Sequence, residues 1–316
     1  MPLSETYQRQ VTLLLRVLPH VAEEECFALK GGTAINLFVR DMPRLSVDID
    51  LTYLPVTPRQ ESLAAIDAAM RRIANRIRAA LRDTQVVPST IQPENIVTKS
   101  LVRQENAQVK IEVTPVLRGC VFDPALQAVS PAVEEIFGFA EIKVVSFADL
   151  YAGKIVAALD RQHPRDFFDI RDLLASEGIT NDLRRAFIVY LISHNRPMAE
   201  VLAPRRKSLR AEFLRGFEGM TKSHVRIEEL EAAREELIAA VVDAMPESHH
   251  QFLLSFKRGK PDWSLLGIPG ASELPAVQWR RQNLERLSPE TSATLIRKLE
   301  AVLFPAGASC ATTATA

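Results

Sequence analysis

Two aspartates, Asp48 and Asp50, stand two residues apart in Leu45-Ser46-Val47-Asp48-Ile49-Asp50-Leu51-Thr52, where apolar and polar side chains alternate strictly. A period of two is that of a half-buried β-strand. Leu45, Val47, Ile49 and Leu51 are therefore expected to face a core, with Ser46, Asp48, Asp50 and Thr52 sharing the other face. Two carboxylates side by side on a rigid strand repel one another unless a cation or hydrogen bonds compensate. Two hard oxygen ligands in register are what Mg²⁺ takes when substrate phosphates complete its octahedron, and Mn²⁺ suits the same donors. A solvated polar face has the same pattern, so the pair alone leaves both readings open.

A glycine pair precedes it. Phe27-Ala28-Leu29 reads as a short buried strand that ends in Gly31-Gly32, with Thr33 as the expected N-cap of a helix carrying Ala34, Ile35, Leu37 and Phe38. A strand passing through two glycines into a helix makes a cradle of backbone N–H groups suited to a triphosphate, although an ordinary tight turn reads the same way. Strand, Gly-Gly-Thr, helix and Asp-x-Asp strand occur in the order of the polymerase-beta-like nucleotidyltransferase fold, and order is harder to reach by chance than either motif. That fold needs a third carboxylate on a neighbouring strand, and Glu112 is the candidate, since Val109, Ile111 and Val113 alternate with Lys110, Glu112 and Thr114. If the strands are neighbours, the three carboxylates converge and can hold two metals about 4 Å apart. A solvated Glu112 paired with Lys110 or Lys99 is the alternative.

The elements that must position these residues follow from periodicity. Val11, Leu14, Leu15 and Leu18 predict a helix over 6–20, and Leu63, Ile66, Met70, Ile73, Ile77 and Leu81 predict a long amphipathic helix from Pro58 to Asp83. Segments 96–104 and 108–116 predict two strands joined by a turn at Glu105-Asn106, an antiparallel hairpin. After Pro131 the reading is almost wholly helical, with helices near 146–160, 164–177, 181–194, 206–218, 226–244 and 289–303. An α+β fold results, with a nucleotidyltransferase core over 1–125, a helical domain over 126–306 that completes the site, and a small Thr/Ala-rich tail, 307–316, expected to be disordered.

Composition excludes several classes. At 316 residues, 47% apolar and 25% charged, the chain has material for a buried core and is not of disordered composition. Lys plus Arg and Asp plus Glu are equal at 39 each, so any nucleic-acid contact must come from a local patch. Cys26, Cys120 and Cys310 are scattered singly, and His163, His194, His224, His249 and His250 form no ligand spacing with cysteines or acids. No stretch is long and apolar enough for a membrane span, and a cytoplasmic location is expected.

Lys30-Gly31-Gly32-Thr33-Ala34, Arg44-Leu45-Ser46-Val47-Asp48-Ile49-Asp50-Leu51, and the segments Lys154 to Arg161 and Arg165 to Asp169 together resemble the AbiEii/AbiGii toxin-type nucleotidyltransferases, which include MenT-like toxins of type IV toxin–antitoxin systems. Leu274 to Trp279 is similar to the C-terminal region of that family, so the likeness runs from about residue 27 to 290. The resemblance implies an NTP-dependent transfer of a nucleoside monophosphate that releases pyrophosphate. Asp48, Asp50 and Glu112 would be metal ligands and catalytic, and Lys154 and Asp166 catalytic. Lys30, Gly31, Gly32, Thr33, Arg44, Ser46 and Lys154 would bind the nucleotide. It also implies a tRNA 3′ end or other RNA as acceptor and a cognate antitoxin as partner.

Independently of the likeness, Lys154 lies on the helix beginning near Ser146, where its ammonium can neutralise phosphate. Asp166 and Asp169, three apart after Pro164, share a helix face, while Arg165 and Asp169 equally suit a clamp between helices. Arg44 is either a phosphate ligand or an ordinary surface arginine. For an RNA backbone, the arginines of helix 71–82 and the cluster Arg205, Arg206, Lys207 and Arg210 are the basic surfaces, although such faces are ordinarily just solvated. A small-molecule or protein hydroxyl as acceptor, or a catalytically silent nucleotide- or partner-binding module, are the competing readings. A phosphoryl group on Ser46 would add negative charge beside the metal ligands, so the phosphomimetic Ser46→Asp is expected to lose nucleotide transfer; full activity would contradict this.

Overall fold

In the computed structural model, which describes residues 5–305, the first half of the chain is α1 (Glu5–Ala22), β1 (Phe27–Lys30), α2 (Gly31–Ala34, continued by a π-helical turn over Ile35–Val39), β2 (Asp48–Tyr53), α3 (Arg59–Ala80), β3 (Gln85–Ile91), β4 (Ile96–Gln104), β5 (Ala107–Val113), β6 (Ala125–Ala128), α4 (Pro131–Phe137) and β7 (Glu141–Val144). Helices α5 (Phe147–Arg161), α6 (Pro164–Ser176), α7 (Asn181–Ser193), α8 (Met198–Leu202), α9 (Arg210–Gly216), α10 (Ile227–Ile238), α11 (Glu247–Lys257), α12 (Pro275–Glu285) and α13 (Pro289–Leu303) make up the second. The tail expected to be disordered, Gly307 to Ala316, lies outside the described residues, as does Cys310.

Among the described residues the seven strands form one mixed sheet in the order β3-β4-β5-β2-β1-β7-β6. Strands β1 and β2 are antiparallel, β2 and β5 parallel. The centre of the sheet is where alternation is strictest. Ile49 and Leu51 on β2 and Val109, Ile111 and Val113 on β5 are buried, and α1 and α3 pack on the sheet. The expected hairpin forms, with Gln104 opposite Ala107 across the turn. The α+β arrangement is as expected.

Three features depart from the sequence reading. Strand β2 begins at Asp48 and not at Leu45, because the backbone of Arg44 and Leu45 is taken by a distant loop: Arg44 bridges Thr221, and Leu45 N donates to Met220 O at 2.9 Å. Strands β3, β6 and β7 were not expected. The sheet therefore runs past the boundary set near residue 125 as far as Val144, whose partner is Leu29 of β1. Helix 206–218 shortens to α9, and α4, α8, α11 and α12 are additional.

Helix α5 is seated beside the sheet by Asp149, which is 1% exposed. Ser146 caps the helix by accepting from Asp149 N at 3.0 Å. The Asp149 carboxylate accepts from Val121 N at 2.8 Å, Phe122 N at 2.9 Å, the Ser146 hydroxyl at 2.7 Å and the Tyr190 hydroxyl at 3.1 Å. Four donors leave this buried acid satisfied and tie the loop after β5 to α5 and α7. Burial nonetheless pushes its pKa upward against those hydrogen bonds. Among the described residues no helix is long and apolar enough to cross a membrane.

Candidate active site

Register brings the predicted carboxylates together. Lys30 on β1 is opposite Asp50 on β2, and Asp50 is level with Glu112 on β5, so the three side chains stand abreast on one face of the sheet. Asp48, two residues before Asp50, is level with Lys110. The Lys110 ammonium bridges two of the acids, 3.5 Å from Asp48 Oδ2 and 2.9 Å from Glu112 Oε2. This is the pairing that the alternative reading of Glu112 foresaw, and it places a positive charge between carboxylates. Burial works against the charged Lys110, but Glu112, Asp48 and Asp50 outweigh it and raise its pKa.

Asp50 remains under-compensated. Burial pushes its pKa up, and Asp48 and Glu112 push the same way, while Lys110 and Lys30 oppose them. Lys30 donates to the Thr114 hydroxyl at 3.3 Å, reaching across β2, and burial lowers its pKa despite Asp50, Cys120 and Glu112. A carboxylate held above its ordinary range beside two more acids is a position that added positive charge would relieve. Among the described residues no cluster of three or more His, Cys, Asp or Glu side chains suffices to hold a metal by itself. Asp48 and Asp50 thus fit Mg²⁺ in its usual mode, one or two carboxylates completed by substrate phosphates and water.

The glycine turn lies against these acids. Gly31 has φ +77°, and a Cβ there would come 2.7 Å from Asp50 Oδ2; at Gly32 it would come 2.7 Å from Ser46 Oγ and 2.8 Å from Arg44 Nη2. Both positions require glycine for close approach, and Gly31 requires it for its backbone as well. Thr33 is not the helix N-cap that was expected. Lys30 occupies that place without a side-chain cap, and Thr33, fully buried in the first turn, donates to the Ser46 hydroxyl at 3.2 Å. Thr33 and the half-buried Ser46 therefore support the turn from beneath, where a group larger than a hydroxyl on Ser46 would crowd Gly32.

A chain of buried ion pairs backs the turn. Arg44, 3% exposed, is bidentate to Asp169 at 2.7 and 2.6 Å. Lys154 lies 2.9 Å from Asp169 and 3.1 Å from Asp166, and Arg161 is bidentate to Asp166 at 2.6 and 2.8 Å. Asn36 links the chain to the turn by donating to Gly32 O at 2.8 Å. Burial opposes ionisation of both aspartates, but Lys154 and Arg161 hold Asp166 well below the usual carboxylate range, and Arg44 and Lys154 lower the pKa of Asp169. Removing one member of such a chain strands a buried charge, at a cost of about 3–5 kcal/mol. Arg44, Lys154 and Arg161 against Asp166 and Asp169 leave one positive charge in excess.

Lys30, Gly31, Gly32, Asp50, Glu112 and Lys154 line a single cleft of ≈ 450 Å³, together with Arg161. Asp48 is on the same face, farther out, its side chain 51% exposed. Arg44, Thr33, Ser46 and Asp166 do not line the cleft. Arg44 is no surface arginine free for phosphate: Asp169 and Leu45 O occupy its donors. Asp166, expected to be catalytic, has no exposed surface and reaches the cleft only through Lys154 and Arg161, so it is a positioning residue. Arg161 was missed as a site residue. Its signal was its place seven residues after Lys154, two helical turns along the same face, and its side chain is 61% exposed.

Residues 12–283 match the family described as nucleotidyl transferase AbiEii toxin, type IV toxin–antitoxin system. The chain belongs to that family. It is a nucleotidyltransferase of the toxin class. Among solved structures it is similar to MenT4, the nucleotidyltransferase toxin Rv2826c from Mycobacterium tuberculosis H37Rv, at a TM-score of 0.58 and 14% identity, over 89% of this chain and 95% of that one. At such identity the likeness speaks for the fold. No curated protein matches the sequence.

The raised pKa of Asp50 carries a sign. A carboxyl that binds its proton more tightly in the folded state than in the unfolded chain makes stability fall as pH rises through the carboxylate range. In metal-free buffer at pH 7.5, Asp50→Asn is therefore expected to melt a few degrees above the wild-type enzyme, the gap closing near pH 4. A variant that melts lower at pH 7.5 in calorimetry would show that Asp50 is already compensated.

Proposed function

We propose that this nucleotidyltransferase moves a nucleoside monophosphate from an NTP to a hydroxyl of RNA, the 3′ end of tRNA above all, with Asp48 and Asp50 holding Mg²⁺ or Mn²⁺. The alignment of Lys30, Asp50 and Glu112 across three strands, beneath the Gly31-Gly32 turn, is the observation that carries this reading.

The residues divide the work by position. First-turn N–H groups of a helix have no partner within it, so the turn at Gly31 and Gly32 suits phosphate oxygens. Lys30 of β1 and the exposed Arg161 of α5 both line the cleft and add positive charge, and Lys154, fixed by Asp166 and Asp169, supports it. A bound divalent cation supplies neutralisation of the triphosphate and a lower pKa for the attacking hydroxyl. Glu112 takes the proton of that hydroxyl as its oxygen bonds to the α-phosphorus. The bond from that phosphorus to the bridging oxygen breaks, and pyrophosphate leaves.

The tRNA end as acceptor rests on family membership, since an end so extended cannot be aminoacylated and growth would stop. A cognate antitoxin would oppose this, with both acting in the cytoplasm. The test is to incubate the enzyme with each of the four NTPs, labelled at the α-phosphate, and with total RNA, total protein or small hydroxylic compounds. Label is expected in RNA of tRNA size, to vanish in EDTA, to return with Mg²⁺, and to fall to background in Asp48→Ala and Asp50→Ala. Label in protein or small molecules alone would overturn the RNA acceptor, and transfer that survives EDTA would overturn the metal.

A further inference from the structure

The basic surfaces read from the sequence are largely engaged. Arg71 pairs with Asp67, Arg72 and Arg76 with Glu24, and Arg206 with Glu235. An arginine of another kind follows β5. Arg118 is 7% exposed, its Nη1 donates to Pro115 O at 2.7 Å, and its Nε has no hydrogen-bond partner. Among the described residues no carboxylate pairs with it. Burial and the neighbouring Arg59 lower its pKa, and only Tyr53 opposes them. A largely buried guanidinium with no acid beside it is costly unless an anion meets the part that the groove leaves open.

Arg118 lines a groove of ≈ 770 Å³ that adjoins the active-site cleft. The segment after β5 forms the ridge between them: Thr114 and Leu117 line the cleft, Val116 and Arg118 the groove. Across this short ridge lie Glu112 and Asp50. Trp279 of α12 lines the same groove at 51% exposure, with Val56 and Val116 also exposed. The molecule's other tryptophan, Trp263, packs instead against Phe252 and Phe256. Arg59 is in the groove as well, in a loose exposed pair with Glu94 at 3.7 Å, and Glu273 is the one acid of the lining. An exposed indole beside unpaired guanidinium is how proteins hold single strands, base on ring and phosphate on arginine.

We infer that this groove binds single-stranded nucleic acid, stacking a base on Trp279 and seating a phosphate on Arg118, and so leads the strand's end over the Thr114–Arg118 ridge to Asp50 and Glu112. The inference rests on the RNA-acceptor reading but is tested apart from it, because oligonucleotide binding needs no NTP.

The experiment is a titration of the full chain with a short, fluorescently labelled single-stranded RNA, read by polarisation, for the wild type, Trp279→Ala and Arg118→Gln, with circular dichroism confirming their fold. Both variants are expected to bind about tenfold more weakly, as loss of one stacked base or one phosphate contact implies, and wild-type binding to weaken with salt. In Trp263→Phe, where Trp279 is the only indole, the unlabelled RNA is expected to quench emission to saturation. Should Arg118→Gln fail to fold, the exposed Trp279 still decides. Unchanged affinity in Trp279→Ala, or emission that RNA leaves untouched, as a protein partner in this groove would give, overturns the inference. If the wild type transfers label to RNA and Trp279→Ala does so with unaltered KM, the groove fails while the acceptor stands. If RNA quenches Trp279 yet receives no label, the acceptor fails while the groove stands.

Discussion

Acids crowded on one face of a sheet need positive charge to meet them, and much of the molecule around Asp50 answers that constraint. Asp50 is level with Glu112 on one side and opposite Lys30 on the other, because β2 lies between β5 and β1 in this register. Lys110 then lies between Asp48 and Glu112, while Lys30 comes across β2 to Thr114. Neither lysine brings Asp50 back to the ordinary carboxylate range. What remains is one carboxylate short of positive charge, beside which a cation and a triphosphate would enter together.

The same constraint explains the helical half. A glycine turn pressed against Asp50 needs a rigid backing, and the chain Arg44–Asp169–Lys154–Asp166–Arg161 provides it from the far side. Buried ion pairs of this kind contribute little net stability against an apolar core, but they are strongly directional. Here they fix α5 and α6 to the segment between α2 and β2 and leave Arg161 presented to the cleft. Asp149 does the equivalent for the loop after β5, holding its Val121 and Phe122, while Thr114 and Leu117 of the same loop line the cleft.

Much of this was legible in one dimension because its causes are local. Alternation located β2 and β5, and the hairpin turn at Glu105-Asn106 aligned β4 with β5. Asp48, Asp50 and Glu112 follow directly from those strands. What was illegible depends on partners distant in sequence. Arg44 reads as a surface residue until Asp169, 125 residues later, proves to be bonded to it. Strand β3 carries Pro88, which a central strand would not tolerate, and is permitted only because β3 is at the sheet edge. Strands β6 and β7, four residues each, are too short for periodicity to show. Asp166 resembled a catalytic acid by motif, whereas burial decides that it positions others.

The most direct test of the metal-assisted site is anomalous diffraction from crystals soaked with Mn²⁺ and an NTP analogue that cannot be cleaved between its α- and β-phosphates. Expected is an anomalous peak between the Asp48 and Asp50 carboxylates, the triphosphate against Gly31 and Gly32, and the Lys110 ammonium withdrawn from Asp48. A nucleotide bound away from the glycine turn, or no peak there with Lys110 still bridging Asp48 and Glu112, would contradict it.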